Sequence, residues 1–151
     1  FVKGTPALSI CVVQKHNQAM KALLRFQADP NKQDPTGASP LFYVASSDNV
    51  EGARILLEAG ADLSLTGIFN TNAFDNACAM GASQVLEEVF IRPPHAACRR
   101  EALGLSMGAG HGNPETVAIL LRMGCDKDSA ISPRNTLGRF FDRAMKLKHR
   151  V

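Results

Sequence analysis

Apolar residues along the chain form a stripe that returns at a nearly constant distance. The triplets Met20/Leu23/Leu24, Ala53/Leu56/Leu57, Leu86/Val89/Phe90 and Val117/Leu120/Leu121 each occupy positions i, i+3 and i+4, and successive triplets lie 33, 33 and 31 residues apart. That spacing puts three side chains on one side of a helix, so it predicts four similar helices, each burying one face. In three of the four, an aspartate stands six residues beyond the first leucine of a Leu-Leu pair: Leu23 to Asp29, Leu56 to Asp62 and Leu120 to Asp126. A shorter helix is predicted ahead of each stripe. Ser39, Asn72 and Thr136 are of N-cap type, and Pro40 stands at a first helical position, where its missing N–H leaves nothing unsatisfied. Asp48-Asn49, Gly81 and Gly110 to Asn113 mark turns between paired helices. Gly60 and Gly124 end the second helices in the left-handed conformation that glycine adopts without strain.

A unit of about 33 residues built as helix, turn, helix and hairpin loop, carrying Ser39-Pro40-Leu41, Gly112-x-x-Glu115-x-Val117 and Leu56-Leu57-Glu58-Ala59-Gly60-Ala61-Asp62, resembles the ankyrin repeat. The resemblance covers nearly the whole chain and is best over residues 37 to 64. It implies an all-α solenoid of stacked helix-turn-helix pairs with hairpin loops: one domain, 1–151, with units at about 4–36, 37–69, 70–99 and 100–133 and a partial or capping unit at 134–151. Departures from the family pattern fall at defined places. Gln27 holds the glycine position of the first unit, and the third replaces Gly-Ala-Asp with Ile-Arg-Pro-Pro-His-Ala-Ala-Cys, where Pro93-Pro94 must break the helix after Arg92. The family's helix-opening Thr-Pro-Leu-His is replaced by Thr5-Pro6-Ala7-Leu8 in the first unit, and Phe42 takes the histidine place in the second. Less regular caps and a third unit weaker than the rest are the expected consequences.

Composition is that of a globular chain: 151 residues, 45% hydrophobic and 21% charged. The sequence contains no apolar run long enough to span a membrane, and its first residues lack a secretory signal, so membrane insertion is not expected and an intracellular setting, cytoplasmic or nuclear, is. Without an initiator methionine the chain reads as part of a longer protein. Net charge is +3, unevenly placed: residues 134–151 hold six Lys/Arg against Asp142, and the remainder carries 11 basic and 13 acidic residues. Cys11, Cys78, Cys98 and Cys125 form no Cys-x-x-Cys pair, and His16, His95, His111 and His149 have no paired spacing, so neither metal nor other cofactor is expected. Cys11, Cys78 and Cys125 fall where the repeat has small alanines and read as packing residues. Cys98, beside Arg99 and Arg100, is either a plain loop residue or a thiol activated by its cations. The glycines Gly108, Gly110 and Gly112 form a turn more naturally than a phosphate cradle, since no strand precedes them. Ser9, Ser46, Ser47 and Ser106 have no nucleophile elbow, and no carboxylates are paired for acid–base work, so no enzyme activity is expected.

What remains is binding. Stacked helix pairs with hairpins to one side make an extended concave surface, and ankyrin repeats generally hold another polypeptide there. The resemblance implies that positions four, seven and eight after each first-helix N-cap line the groove: Tyr43, Ser46, Ser47, Asn76, Ala79, Met80, Met107, Gly110, His111 and Phe140. Hairpin residues Asp34 and Phe69 are expected at its rim. Leu65, Ile68 and Phe69 either pack inward or form an apolar patch. Such a groove, with one tyrosine, two methionines and small polar groups, suits an apolar-anchored peptide or helix better than an acidic partner or a small-molecule substrate. On this reading Tyr43→Ala and Met107→Ala weaken binding without lowering the melting temperature, and the chain is monomeric. Two alternatives stand beside it: the targeting or regulatory part of a larger enzyme, and nucleic-acid binding through the basic C-terminal segment, which its sparse aromatics disfavour.

Overall fold

The computed structural model describes residues 3–67, 70–92 and 110–125, and all regular structure among them is helical. Helices α1 (Ala7–Val13) and α2 (Asn17–Arg25) form the first pair, α3 (Pro40–Ser47) and α4 (Val50–Glu58) the second. The third pair is α5 (Ala73–Met80) with α6 (Ser83–Val85), which runs directly into a π-helical turn at Leu86–Phe90, and α7 (Pro114–Arg122) carries the fourth stripe. First helices stack on first helices, α1 on α3 on α5, and second helices on second helices, α2 on α4 and α4 on the π-turn. All four apolar stripes lie in the helices expected of them.

The core is the seam between the two layers. Met20, Ala53, Leu56, Leu86, Phe90 and Leu120 from the second helices meet Leu8, Val12, Leu41, Val44, Phe74, Ala77 and Cys78 from the first, all of them buried. The stripe is not buried evenly. Leu23, Leu24, Leu57 and Val117 are only half-buried, and Leu121 is 40% exposed. In α7 the buried face turns toward Thr116, Ile119 and Leu120 instead.

The caps behave as their residue types require. The Ser39 hydroxyl accepts the Phe42 N–H at 3.2 Å with Pro40 at the first helical position, and Asn72 forms a reciprocal capping box with Asp75. In the first unit the Thr5-Pro6 dipeptide falls one residue earlier than Ser39-Pro40 does, so Pro6 stands at the N-cap of α1 and offers no side-chain cap. Backbone conformation repeats as strictly as the apolar stripe. Positive φ occurs at Gly4, Gly37 and Asn70; at Lys15, Asp48, Gly81 and Gly112; and at Gln27, Gly60 and Gly124. The last set closes the second helices. Ala28, Ala61 and Cys125 N–H each reach back five residues to Leu23, Leu56 and Leu120 carbonyls, the bonding that requires a left-handed residue just before. Gln27, at φ 63°, fills that place without glycine's freedom.

Neighbouring units are tied by side chains. Asn49 caps α4 through the Gly52 N–H at 2.9 Å and donates to the Val12 carbonyl and to Asn17 at 3.2 and 3.0 Å. Asn113 likewise donates to the Cys78 and Ala79 carbonyls at the end of α5. Ala82 stands where Asn49 does one unit earlier, and the cap comes from Asp48 of the preceding unit, which accepts the Val85 N–H at 2.9 Å. Exposed ion pairs Lys21–Glu51, Arg54–Glu88 and Arg122–Glu87 run along the second-helix layer. The expectations for Ile68, Phe69, Pro93-Pro94, His95, Cys98, Ser106, Met107, Gly108, Asp126, Thr136, Phe140, His149 and the basic segment lie outside the described residues.

Candidate partner-binding groove

Positions that recur at the repeat interval along α3 and α5 collect on the first-helix layer. Their polar groups have divided roles. Asn76 donates to the Phe42 carbonyl at 2.9 Å and Ser47 to the Val12 carbonyl at 3.2 Å, so both are tied to the preceding unit. Ala79 is buried, whereas Ser46, Met80, Gly110 and His111 are exposed. Met80 stands out: 55% of it is exposed at the end of a helix whose other apolar residues, Ala73, Phe74, Ala77, Cys78 and Ala79, are all buried. None of these surface positions carries an Asp, Glu, Lys or Arg.

Tyr43 and Asp34 form the most polar point beside this surface. Asp34 is only 6% exposed, so it is an internal group and not the rim residue expected from sequence. Its carboxylate accepts the Thr36 N–H at 2.8 Å, the Thr36 hydroxyl at 2.5 Å, the Ala38 N–H at 3.1 Å and the Tyr43 phenol at 2.5 Å. Burial pushes the Asp34 carboxyl up, but these donors outweigh it and leave its pKa below the ordinary value. Burial and the hydrogen bond to the Asp34 carboxylate raise the Tyr43 phenol to about 12. Since Tyr43 holds this turn, replacing it with alanine removes a structural bond as well as a surface contact. The expectation of a binding effect at unchanged melting temperature therefore does not carry over to this residue.

The remaining chemistry is quiet. Burial, with the Asp75 and Cys125 charges added, pushes the Cys78 thiol far up, which leaves it unreactive. Cys78 and Cys125 are buried and Cys11 is half-buried against the core, the packing role expected of them. Among the described residues no group of His, Cys, Asp or Glu is arranged to hold a metal ion, and no helix is long and apolar enough to cross a membrane. One surface feature escaped the sequence reading. Phe26, just past α2, is 89% exposed, and the signal was its place outside the Met20/Leu23/Leu24 stripe.

Comparison with known proteins supports the same architecture. The chain is 34% identical over 96 residues to an armadillo (Dasypus novemcinctus) protein named ankyrin repeat, SAM and basic leucine zipper domain-containing protein 1, covering 60% of this chain and 20% of that one. It is 27% identical over 88 residues to the putative ankyrin repeat protein YahD of Escherichia coli, covering 58% of this chain and 44% of the other. The chain thus spans about a fifth of the mammalian relative's length and under half of the bacterial one's. The crystal structure of the human ASB11 ankyrin repeat domain superposes with a TM-score of 0.68 at 20% identity, over 82% of this chain and 56% of that one, and this likeness shows the fold. The family model for ankyrin repeats in three copies matches residues 8–131, and with the stacked pairs and recurring left-handed turns just described, the chain belongs to the ankyrin-repeat family.

Proposed function

We propose that this ankyrin domain is a non-catalytic interaction module that binds a polypeptide along the surface formed by α3, α5 and the turn before α7, with Met80 as its apolar anchor and Ser46 and His111 beside it. Met80 carries the argument. A flexible thioether exposed among buried neighbours adds nothing to the core, and methionine adapts to irregular apolar partners. That Ser46, Met80, Gly110 and His111 include no Asp, Glu, Lys or Arg favours an apolar-anchored peptide or helix over an acidic ligand. On the same reading residues 1–151 act as one domain. The test is a side-by-side capture from lysate of the source cells with wild type, Met80→Asp and Phe26→Asp. Loss of the captured polypeptide with Met80→Asp alone, at unchanged melting temperature, supports the groove; loss with Phe26→Asp alone moves the site to the second-helix layer.

A second reading concerns context. The mammalian relative's name places ankyrin repeats beside SAM and leucine-zipper domains, and this chain matches a fifth of its length. This favours the domain's being the interaction part of a longer multidomain protein, the role also open to a targeting domain of an enzyme. Sequencing the full transcript decides it.

A further inference from the structure

The hairpin that leads into the second unit differs from its counterpart one repeat later at two linked positions. Asp34 and Tyr43 are replaced, at the repeat interval, by Gly67 and Asn76. Both hairpins nonetheless make the same backbone turn. Asp34 N–H donates to the Ala38 carbonyl at 3.0 Å and Gly37 N–H to the Asp34 carbonyl at 2.9 Å; Gly67 N–H donates to Thr71 at 2.9 Å and Asn70 N–H to Gly67 at 3.0 Å. The turn therefore does not need the carboxylate in order to form. At the second hairpin Asn76 bonds the Phe42 carbonyl of the neighbouring helix instead, and Gly67 lies so close to Gly37 that an added Cβ would sit 2.2 Å from the Gly37 carbonyl oxygen.

Three of the donors on the Asp34 carboxylate come from the turn itself, and the fourth, the phenol, comes from a groove helix. A buried carboxylate that loses a donor is left under-solvated and draws water or moves outward. Gln33, the preceding residue, donates to the Gly37 carbonyl and to the Thr66 carbonyl of the following hairpin, contacts that do not involve the Asp34 carboxylate.

We propose that the Tyr43–Asp34 hydrogen bond is a conformational latch that locks the first hairpin to the groove wall, so that an occupant which turns the Tyr43 ring or takes its hydroxyl bond releases the loop. The second hairpin has Gly67 and Asn76 in place of this pair. The latch is a property of the free chain and stands whether or not the groove is the docking face. Tyr43→Phe removes the hydroxyl and keeps the ring. Native-state hydrogen exchange of the Thr36 and Ala38 amides should then accelerate about tenfold or more, while Gly67, Asn70 and the α4 amides keep wild-type rates. Asp34→Asn should accelerate the same amides, and the double variant should exceed the faster single variant little. Wild-type exchange at Thr36 and Ala38 in Tyr43→Phe, or an equal acceleration across α4 and the 67–71 turn, overturns the latch.

Discussion

Tyr43 is the chain's only tyrosine, and there is no tryptophan, so its phenol can be followed without overlap. Its absorbance change on ionisation should appear near pH 12 and fall toward the ordinary value of 10 in Asp34→Asn. The linkage has a definite sign at each end. Because the folded phenol's pKa is raised, its contribution to stability is complete below pH 10 and disappears as pH rises through about 12. Because the folded Asp34 carboxyl is lowered from 3.8, its contribution is present above that value and is lost as pH falls through the folded pKa. Asp62, lowered by the Ser64 hydroxyl and N–H, acts in the same acid window from an exposed position and should contribute less. At Gln27 the backbone is the issue. A side chain in the left-handed region costs about 1 kcal/mol or more relative to glycine, partly offset by the entropy glycine adds to the unfolded chain. Gln27→Gly should therefore raise stability by about 0.5 kcal/mol in chemical denaturation, whereas Gly60→Ala, at φ 89°, should lower it.

At the scale of elements, the helices are short and depend on their ends. Asn49 serves α4, the end of α1 and the start of α2 at once, so Asn49→Ala should cost about 2 kcal/mol, more than an ordinary cap. Gly52→Ala should reproduce part of that loss, because its Cβ would lie 2.4 Å from the Asn49 amide nitrogen. Asp48→Gly makes a directional prediction. Glycine keeps the left-handed conformation that closes α3, and the bond removed is the cap on the third unit, so exchange should quicken at Gln84 and Val85 before it does within α3. By contrast Arg54→Ala, which opens the exposed pair with Glu88, should change stability by no more than about 0.5 kcal/mol.

Among the described residues the main contacts run from each pair to the next, so stability is a sum of unit and interface terms, and partial opening is the expected route to unfolding. Cys78 reports on that opening from the α3–α5–α7 region. With the other cysteines replaced by alanine, alkylation of Cys78 should be negligible in the native protein and should follow opening of the third pair as denaturant is added. Rapid labelling at zero denaturant would contradict the burial that suppresses its thiolate.

Much of this was legible in the residues alone. The return of Met20, Ala53, Leu86 and Val117 at 33, 33 and 31 residues marked the four second helices, because burying a stripe at helical spacing is a local pattern that stacking merely completes. Gly60, Gly81 and Gly124 marked their turns, since a left-handed backbone selects residue type directly. Lys15 and Gln27 were invisible as left-handed residues, because the packed neighbours, and not the side chain, hold those conformations. Sequence likewise placed Tyr43, Ser47 and Asn76 at groove positions but could not say where their polar groups point. A hydroxyl or amide bonds whatever lies within about 3 Å, and the partners here, Asp34, the Val12 carbonyl and the Phe42 carbonyl, are brought there by stacking. For the same reason Asp34 read as a loop acid and proved to be a buried one. The periodic pattern determined where the helices form; only the assembled stack decided how the face of α7 turns and which polar groups remain for a partner.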